Sequence, residues 1–262
     1  VSDDPGNRDE DEELLAEGTL LSHLIELRSR LIKISIAVVG MFVILLPFSQ
    51  KIFVVVSKPL VDVLPGQKMI ATAVASPLLT PFKLTFFVAL FAAMPVVLYQ
   101  VWAFVAPGLY KKEKRFAFPL LGSSIVLFYA GIAFAYFVVF ELVFGFFASV
   151  TPQSVEMMTD IAAYLDFITK IFLAFGLAFE VPIATVLIVW TGLTTPAKLG
   201  KARPYVFLMA FVIGMFLTPP DVISQTLLAV PVYLLYELGI LMSRVFVTRR
   251  NSKPDEAVAA ED

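Results

Sequence analysis

YQVWAFVAPGLYKKEKR, residues 99–115, decides how the rest of the chain is read. An apolar run ends in the aromatics Tyr99, Trp102 and Tyr110 and breaks at Pro107-Gly108. It then becomes a cationic loop of Lys111, Lys112, Lys114 and Arg115 around a single acid, Glu113. Aromatic rings settle at the membrane–water boundary, and Lys and Arg concentrate on the cytoplasmic side. The stretch therefore reads as the exit of a membrane span and orients the spans on either side of it. Glu113 is either a local charge balancer or a binding group for something cationic.

Composition agrees with a membrane exit. Of 262 residues, 59% are hydrophobic and 16% charged, where ordinary globular chains run about 45–50% apolar and about 25% charged. Mean hydropathy is +0.86. The apolar excess lies in long blocks rather than alternating patterns, which predicts an all-α integral membrane protein. The formal net charge of −2 hides a segregation of charge, with acids gathered in the amino-terminal tail and cations at particular loops. Cysteine is absent and His23 is the one histidine, which leaves no disulfide, thiol nucleophile or Cys metal site. HExxH, GxSxG, P-loop and CxxC motifs are missing as well. No enzyme activity, metal, cofactor or nucleic-acid partner is expected.

Upstream of the opening stretch, residues 1–18 form an acidic segment expected to be a disordered tail. The amino terminus is acidic and polar, unlike a cleavable signal peptide. Thr19 is a plausible helix cap, after which Leu20, Leu24, Leu27 and Leu31 share one helical face and His23, Glu26 and Arg30 the other. This predicts a surface helix running into a first span at about 31–48. Residues 49–80 read as a long apolar loop, turned at Pro65-Gly66, that packs over the bundle or lies in the interface. A second span at about 82–105 carries Pro95, hence a kink.

Downstream, a third span at about 119–141 continues as an apolar run to Val150. Residues 151–163 form a loop without Lys or Arg. A fourth span, about 164–190, holds Lys170, Glu180 and then Pro182. The fifth, 204–217, is short: roughly 14 residues give about 21 Å against a hydrocarbon core of about 30 Å. Asp221 in the turn at 218–221 is placed to cap a sixth span at about 222–243. The six-helix domain covers 19–245, and 246–262 is a polar tail. Arg28, Arg30 and Lys33, the 111–115 cluster, Lys198, Lys201 and Arg203, and Arg244, Arg249 and Arg250 all fall on one side of six spans. Only Lys51, Lys58, Lys68 and Lys83 fall on the other. The positive-inside rule then puts both termini in the cytoplasm.

The ionisable groups within or beside the bilayer are what remain to carry function. A carboxylate at mid-membrane depth costs at least a few kcal/mol, so Glu180 faces the bundle interior or a wet cavity, or is protonated; a helix-packing hydrogen bond is the plainer reading. Snorkelling accounts for Glu141, Lys170 and Glu237 near span ends. Glu26 and Glu113 each sit among cations, as ordinary ion-pair clusters or as binding groups. Ala89/Ala93, Gly131/Ala135, Ala174/Ala178 and Ala210/Gly214 fit close helix packing.

Six stretches resemble the TatC family, the core receptor subunits of twin-arginine protein translocases. They are SHLIELRSRL at 22–31, ATAVASPLLTPFKLTF at 71–86, YQVWAFVAPGLYKKEKR at 99–115, AFGLAFEVP at 174–182, KARPYVF at 201–207 and FLTPPDVISQTLLAVPVYLLYE at 216–237. The resemblance covers about 20–245 in order. It implies six helices in a cupped, concave bundle in the cell inner membrane. It also implies transport of folded precursors driven by the proton-motive force. Glu26 and Glu113 would bind the paired arginines of signal peptides, with Phe104, Arg28 and Arg115 beside them. Glu180 would be the polar residue inside the cup. Met215, Leu217, Thr218, Asp221, Gln225 and Glu237 would form a docking site for single-span partners of the TatA and TatB kind. Other copies of the chain are expected partners too. A proton-coupled small-molecule transporter using Glu180 and Glu237 as relay groups is the alternative, although no internal repeat supports it.

Overall fold

The computed structural model describes residues 5–63, 69–105, 114–152, 158–217 and 222–251, with side chains over 24–62, 69–104, 118–152, 158–217 and 222–245. Helix α1 (Pro5–Leu45) passes through a 3-10 turn (Leu46–Phe48) into α2 (Ser49–Val63). Helices α3 (Ser76–Ala92) and α4 (Met94–Val105) follow. Then α5 (Lys114–Phe134) continues through a π-helical turn (Ala135–Val139) into α6 (Phe140–Val150). Helices α7 (Ile161–Ala178) and α8 (Val181–Trp190), the short α9 (Pro196–Lys201), α10 (Arg203–Leu217) and α11 (Val222–Asn251) complete the chain. Among the described residues the one extended pairing is an isolated parallel bridge between Ile70 and Asp160.

Among the described residues, four helical stretches are long and apolar enough to cross a membrane: Leu24–Asp62, Phe118–Val150, Ile161–Trp190 and Val222–Val245. A pair bent by 51°, Ser76–Ala92 with Met94–Phe104, makes a fifth if counted as one span. Helix α10 is apolar but only 15 residues long. Each span expected from the sequence falls on helix, and the chain is a multi-pass membrane protein.

Two expectations are corrected. Helix α1 begins at Pro5, so Thr19 is interior to a helix rather than its cap. Glu, Leu and Ala are strong helix formers. Once the span below has nucleated, extending it costs little. The first half of the expected loop at 49–80 is the helix α2, which packs on α3 and α6. Pro59 suggested a break there, but its helix is repaired from outside. The turns at Pro65-Gly66 and 218–221 lie outside the described residues.

That repair recurs. A proline inside a helix leaves the carbonyl four residues earlier without its N–H partner, and in lipid such a group must find another donor. Pro59 frees the carbonyl of Val55, which accepts from the Tyr136 hydroxyl at 3.0 Å; Tyr164 holds the next carbonyl, Val56, at 2.9 Å. Pro95 frees the carbonyl of Phe91, which accepts from Tyr129 at 3.1 Å. The kink expected at Pro95 is therefore present, with its break at Ala93.

Close helix approach holds the centre, as association within lipid requires. A Cβ added to Gly131 of α5 would stand 2.5 Å from the Phe175 carbonyl oxygen of α7. On α11, Gly239 faces Pro182 and Thr185 of α8 with no room for a side chain. Of the residues paired by small-residue spacing, Ala89, Ala93, Gly131, Ala135, Ala178, Ala210 and Gly214 are buried and Ala174 is half-buried. Phe128, Phe140 and Phe175 fill the core around them, and Phe140 meets Phe172 edge-on at 5.0 Å.

Candidate functional site

Two carboxylates, Glu26 and Glu180, flank α4: Glu26 pairs with Arg30 of its own helix, which reaches on to α4, and Glu180 is bonded to Ser124 of α5. Glu26 is half-exposed on α1, one turn before Arg30. Arg30 donates from Nε and Nη2 to Glu26 Oε1, at 3.0 and 2.5 Å. The same guanidinium crosses to α4, where Nη1 reaches Gln100 Oε1 at 3.2 Å and Nη2 reaches the Ala103 carbonyl at 2.9 Å. Ala103 is in the last turn of α4, where carbonyls lose their helical donors, and Pro107 four residues on could supply none. A cation at a helix C-terminus also suits the dipole. Phe104, next in this last turn, is half-buried, and Arg28 is exposed on α1.

Glu180 sits at the break between α7 and α8. Pro182 has no N–H for the Ala178 carbonyl, so the helix turns at Phe179 and Glu180 before resuming at Val181. This directs the half-buried carboxyl at α5, where Ser124 donates its hydroxyl to Oε2. The Trp102 indole N–H approaches that hydroxyl at 3.5 Å, a long contact from α4. Oε1 is buried and takes no hydrogen bond among the described residues. Gln100, Trp102 and Ala103 thus set one end of α4 between the Arg30–Glu26 pair and the Ser124–Glu180 pair.

Glu237 of α11 is engaged differently. Arg203 Nε and Nη2 hold its two oxygens at 2.6 and 2.7 Å, a bidentate pair, and Tyr233 donates to Oε1 at 3.0 Å. This closes the start of α10 onto α11. A proton relay through Glu237 would first have to break that pair, so the transporter reading loses one of its two groups.

Met215 is exposed on α10, while Leu217 packs against the core. Gln225 turns inward, its amide donating to the Phe211 carbonyl at 2.7 Å. Glu113, Thr218 and Asp221 lie outside the described residues, as does the side chain of Arg115. Sequence reading placed Arg30 on the same face as Glu26 but gave it no role. The i, i+4 spacing of an acid and a cation was the available signal. Gln100 and Ser124 carried no signal, because their partners are remote in sequence. No group of acids and histidines among the described residues could hold a metal ion.

At the opposite end of the bundle, Asp160 caps α7 by accepting from Ala162 and Ala163 N–H at 2.9 and 3.0 Å. It also accepts from the Thr72 amide at 2.9 Å and hydroxyl at 2.6 Å. The Thr72 hydroxyl above all, with the backbone donors of Ala163, Thr72 and Ala162, lowers its pKa to about 2. Lys83 of α3 pairs with Asp166 of α7, nearly two turns further along that helix.

Comparison with known proteins follows the same residues. Residues 22–231 match the TatC model, described as Sec-independent protein translocase protein. A TatC of that description from Azotobacter chroococcum mcd 1 is 61% identical over 84% of this chain and 87% of its own length. One from Escherichia coli strain K12 is 56% identical over 90% of this chain and 92% of its own. A crystal structure of the twin-arginine translocase receptor TatC superposes with a TM-score of 0.78 at 37% identity. The match covers 85% of this chain and 98% of that one.

Proposed function

The chain belongs to the TatC family of Sec-independent protein translocase proteins, and from that premise we propose how it serves as the receptor of such a translocase. Signal peptides with paired arginines dock where the middle of α1, at Glu26, meets the end of α4. Glu26 accepts one guanidinium there, and Glu113, on the loop that follows α4, accepts the other. Phe104, Arg28 and Arg115 border the site. The observation that carries this reading is that Glu26 already holds a guanidinium, Arg30, against the end of α4. Charge-assisted bonds of this kind are short and strong, and a fork of donors matches a carboxylate. The surrounding cations reject a misplaced signal.

In this reading the chain crosses six times, with α10 as the short fifth, and the loop cations favour cytoplasmic termini and an inner-side location for this surface. Glu180 supplies a polar group inside the concave face. The surface of α10 and α11, with Met215, Leu217, Thr218, Asp221, Gln225 and Glu237, receives single-span partners of the TatA and TatB kind. Further copies of the chain complete the assembly, and the proton-motive force drives transport. The short α10 would thin the bilayer beside these partners.

Photo-crosslinking from probes at 26, 104 and 113 tests the site. A twin-arginine signal peptide is expected to crosslink at all three. Glu26→Ala and Glu113→Ala are each expected to abolish the adduct while the protein still inserts into membranes. Normal signal binding by the double variant would refute the assignment.

A further inference from the structure

Arg30 fills the arrangement that an incoming arginine needs. Its acceptors are a carboxylate oxygen from α1 and, from α4, an amide oxygen and a main-chain carbonyl. A guanidinium only donates, so a ring of acceptors from two helices is the chemistry that binds one. Gln100 is buried and the Arg30 side chain is 19% exposed, which makes this a built recess rather than a chance surface pair. We infer that the recess is a guanidinium subsite occupied at rest by Arg30, and that a signal arginine docks by displacing Arg30 from Glu26. The inference rests on the reading of Glu26 as a signal-peptide acceptor.

Both Arg30 bonds to Glu26 fall on one oxygen, Oε1. A fork-on-fork pair needs each carboxylate oxygen to take its own N–H, so Arg30 must yield Oε1 before an incoming fork can seat. Yielding does not expel Arg30, because Gln100 Oε1 and the Ala103 carbonyl still hold it on α4. The exchange costs two bonds and returns two, provided the newcomer is a guanidinium. An ammonium group has no planar fork and cannot return both in one geometry. Arg30 thereby sets a threshold that an arginine passes and a lysine does not.

The test measures binding of labelled signal peptides, one with an Arg-Arg pair and one with Lys-Lys, to the whole protein in lipid nanodiscs. Arg30→Gln is expected to tighten Arg-Arg binding about threefold, the scale of one partly exposed ion pair. Lys-Lys binding should tighten by more, so that discrimination shrinks. With Arg30→Ala, guanidinium chloride at low millimolar concentration should restore the wild-type affinity where urea does not. Arg30→Lys, which keeps the charge, should shift binding in the same direction by less, and it serves if the other variants fail to insert. Unchanged or weaker binding with full discrimination, in folded Arg30 variants, overturns the threshold while loss of binding in Glu26→Gln still upholds the site. Unchanged binding in Glu26→Gln removes the site itself, and the threshold with it.

Discussion

Tyr129 gives its hydroxyl to the carbonyl of Phe91 at 3.1 Å, and Phe91 stands four residues before Pro95, which has no N–H to offer it. The bond joins α5 to the bend between α3 and α4. Leaving that carbonyl without a donor costs about 1–3 kcal/mol. Tyr129→Phe is therefore expected to lower the thermal unfolding midpoint of the purified protein in detergent. An unchanged midpoint would mean that the carbonyl has another donor.

Glu180 is held by Ser124 through Oε2. Glutamine keeps an acceptor at that position, whereas leucine leaves the serine hydroxyl and the Trp102 N–H with nothing beyond each other. Transport of a folded twin-arginine precursor into inverted membrane vesicles is expected to survive Glu180→Gln far better than Glu180→Leu. Equal transport by the leucine variant would show that a polar group there is dispensable.

Arg203 and Glu237 form a two-pronged pair between α10 and α11. Removing one partner strands the other, while removing both strands neither. Glu237→Leu alone is expected to unfold at a lower temperature than Arg203→Leu combined with Glu237→Leu. Additive losses in that comparison would show that the two side chains act independently.

Asp160 has a folded pKa of about 2, below its ordinary 3.8. A lowered acid pKa adds stability in full above the unfolded value and loses it as pH falls through the folded one. The cap on α7 should therefore weaken between about pH 4 and about pH 2. Asp160→Asn is expected to flatten that acid limb of a stability profile, and Thr72→Ala to move it upward. An acid limb identical to wild type in Asp160→Asn would assign it to other carboxylates.

Much of the helical layout was legible because lipid imposes long apolar runs, and each run marked a helix. The kink before Pro95 and the short α10 were legible for the same reason: proline chemistry and a residue count are local facts. Helix α2 was not, since Pro59 and Lys58 signal a loop and the Tyr136 hydroxyl that rescues the helix lies 81 residues away. The amino-terminal extension of α1 was masked by its acidic composition. At the candidate site, Glu26 and Phe104 were found through family resemblance. Arg30 was in view on the right face, but its reach to Gln100, at a separation of 70 residues, appears only when the chain is folded.

The tyrosines that serve the proline-freed carbonyls have a mechanical consequence. The freed carbonyls of Val55 and Phe91 each accept one neighbour at one height, so α2 and the α3–α4 pair are pinned in axial register to α5 and its π turn, and the Tyr164 bond to Val56 ties α2 to α7 beside them. Sliding a helix by one turn would leave a main-chain oxygen stranded in hydrocarbon. Tilting or pivoting about these pegs keeps the bonds that axial sliding would break.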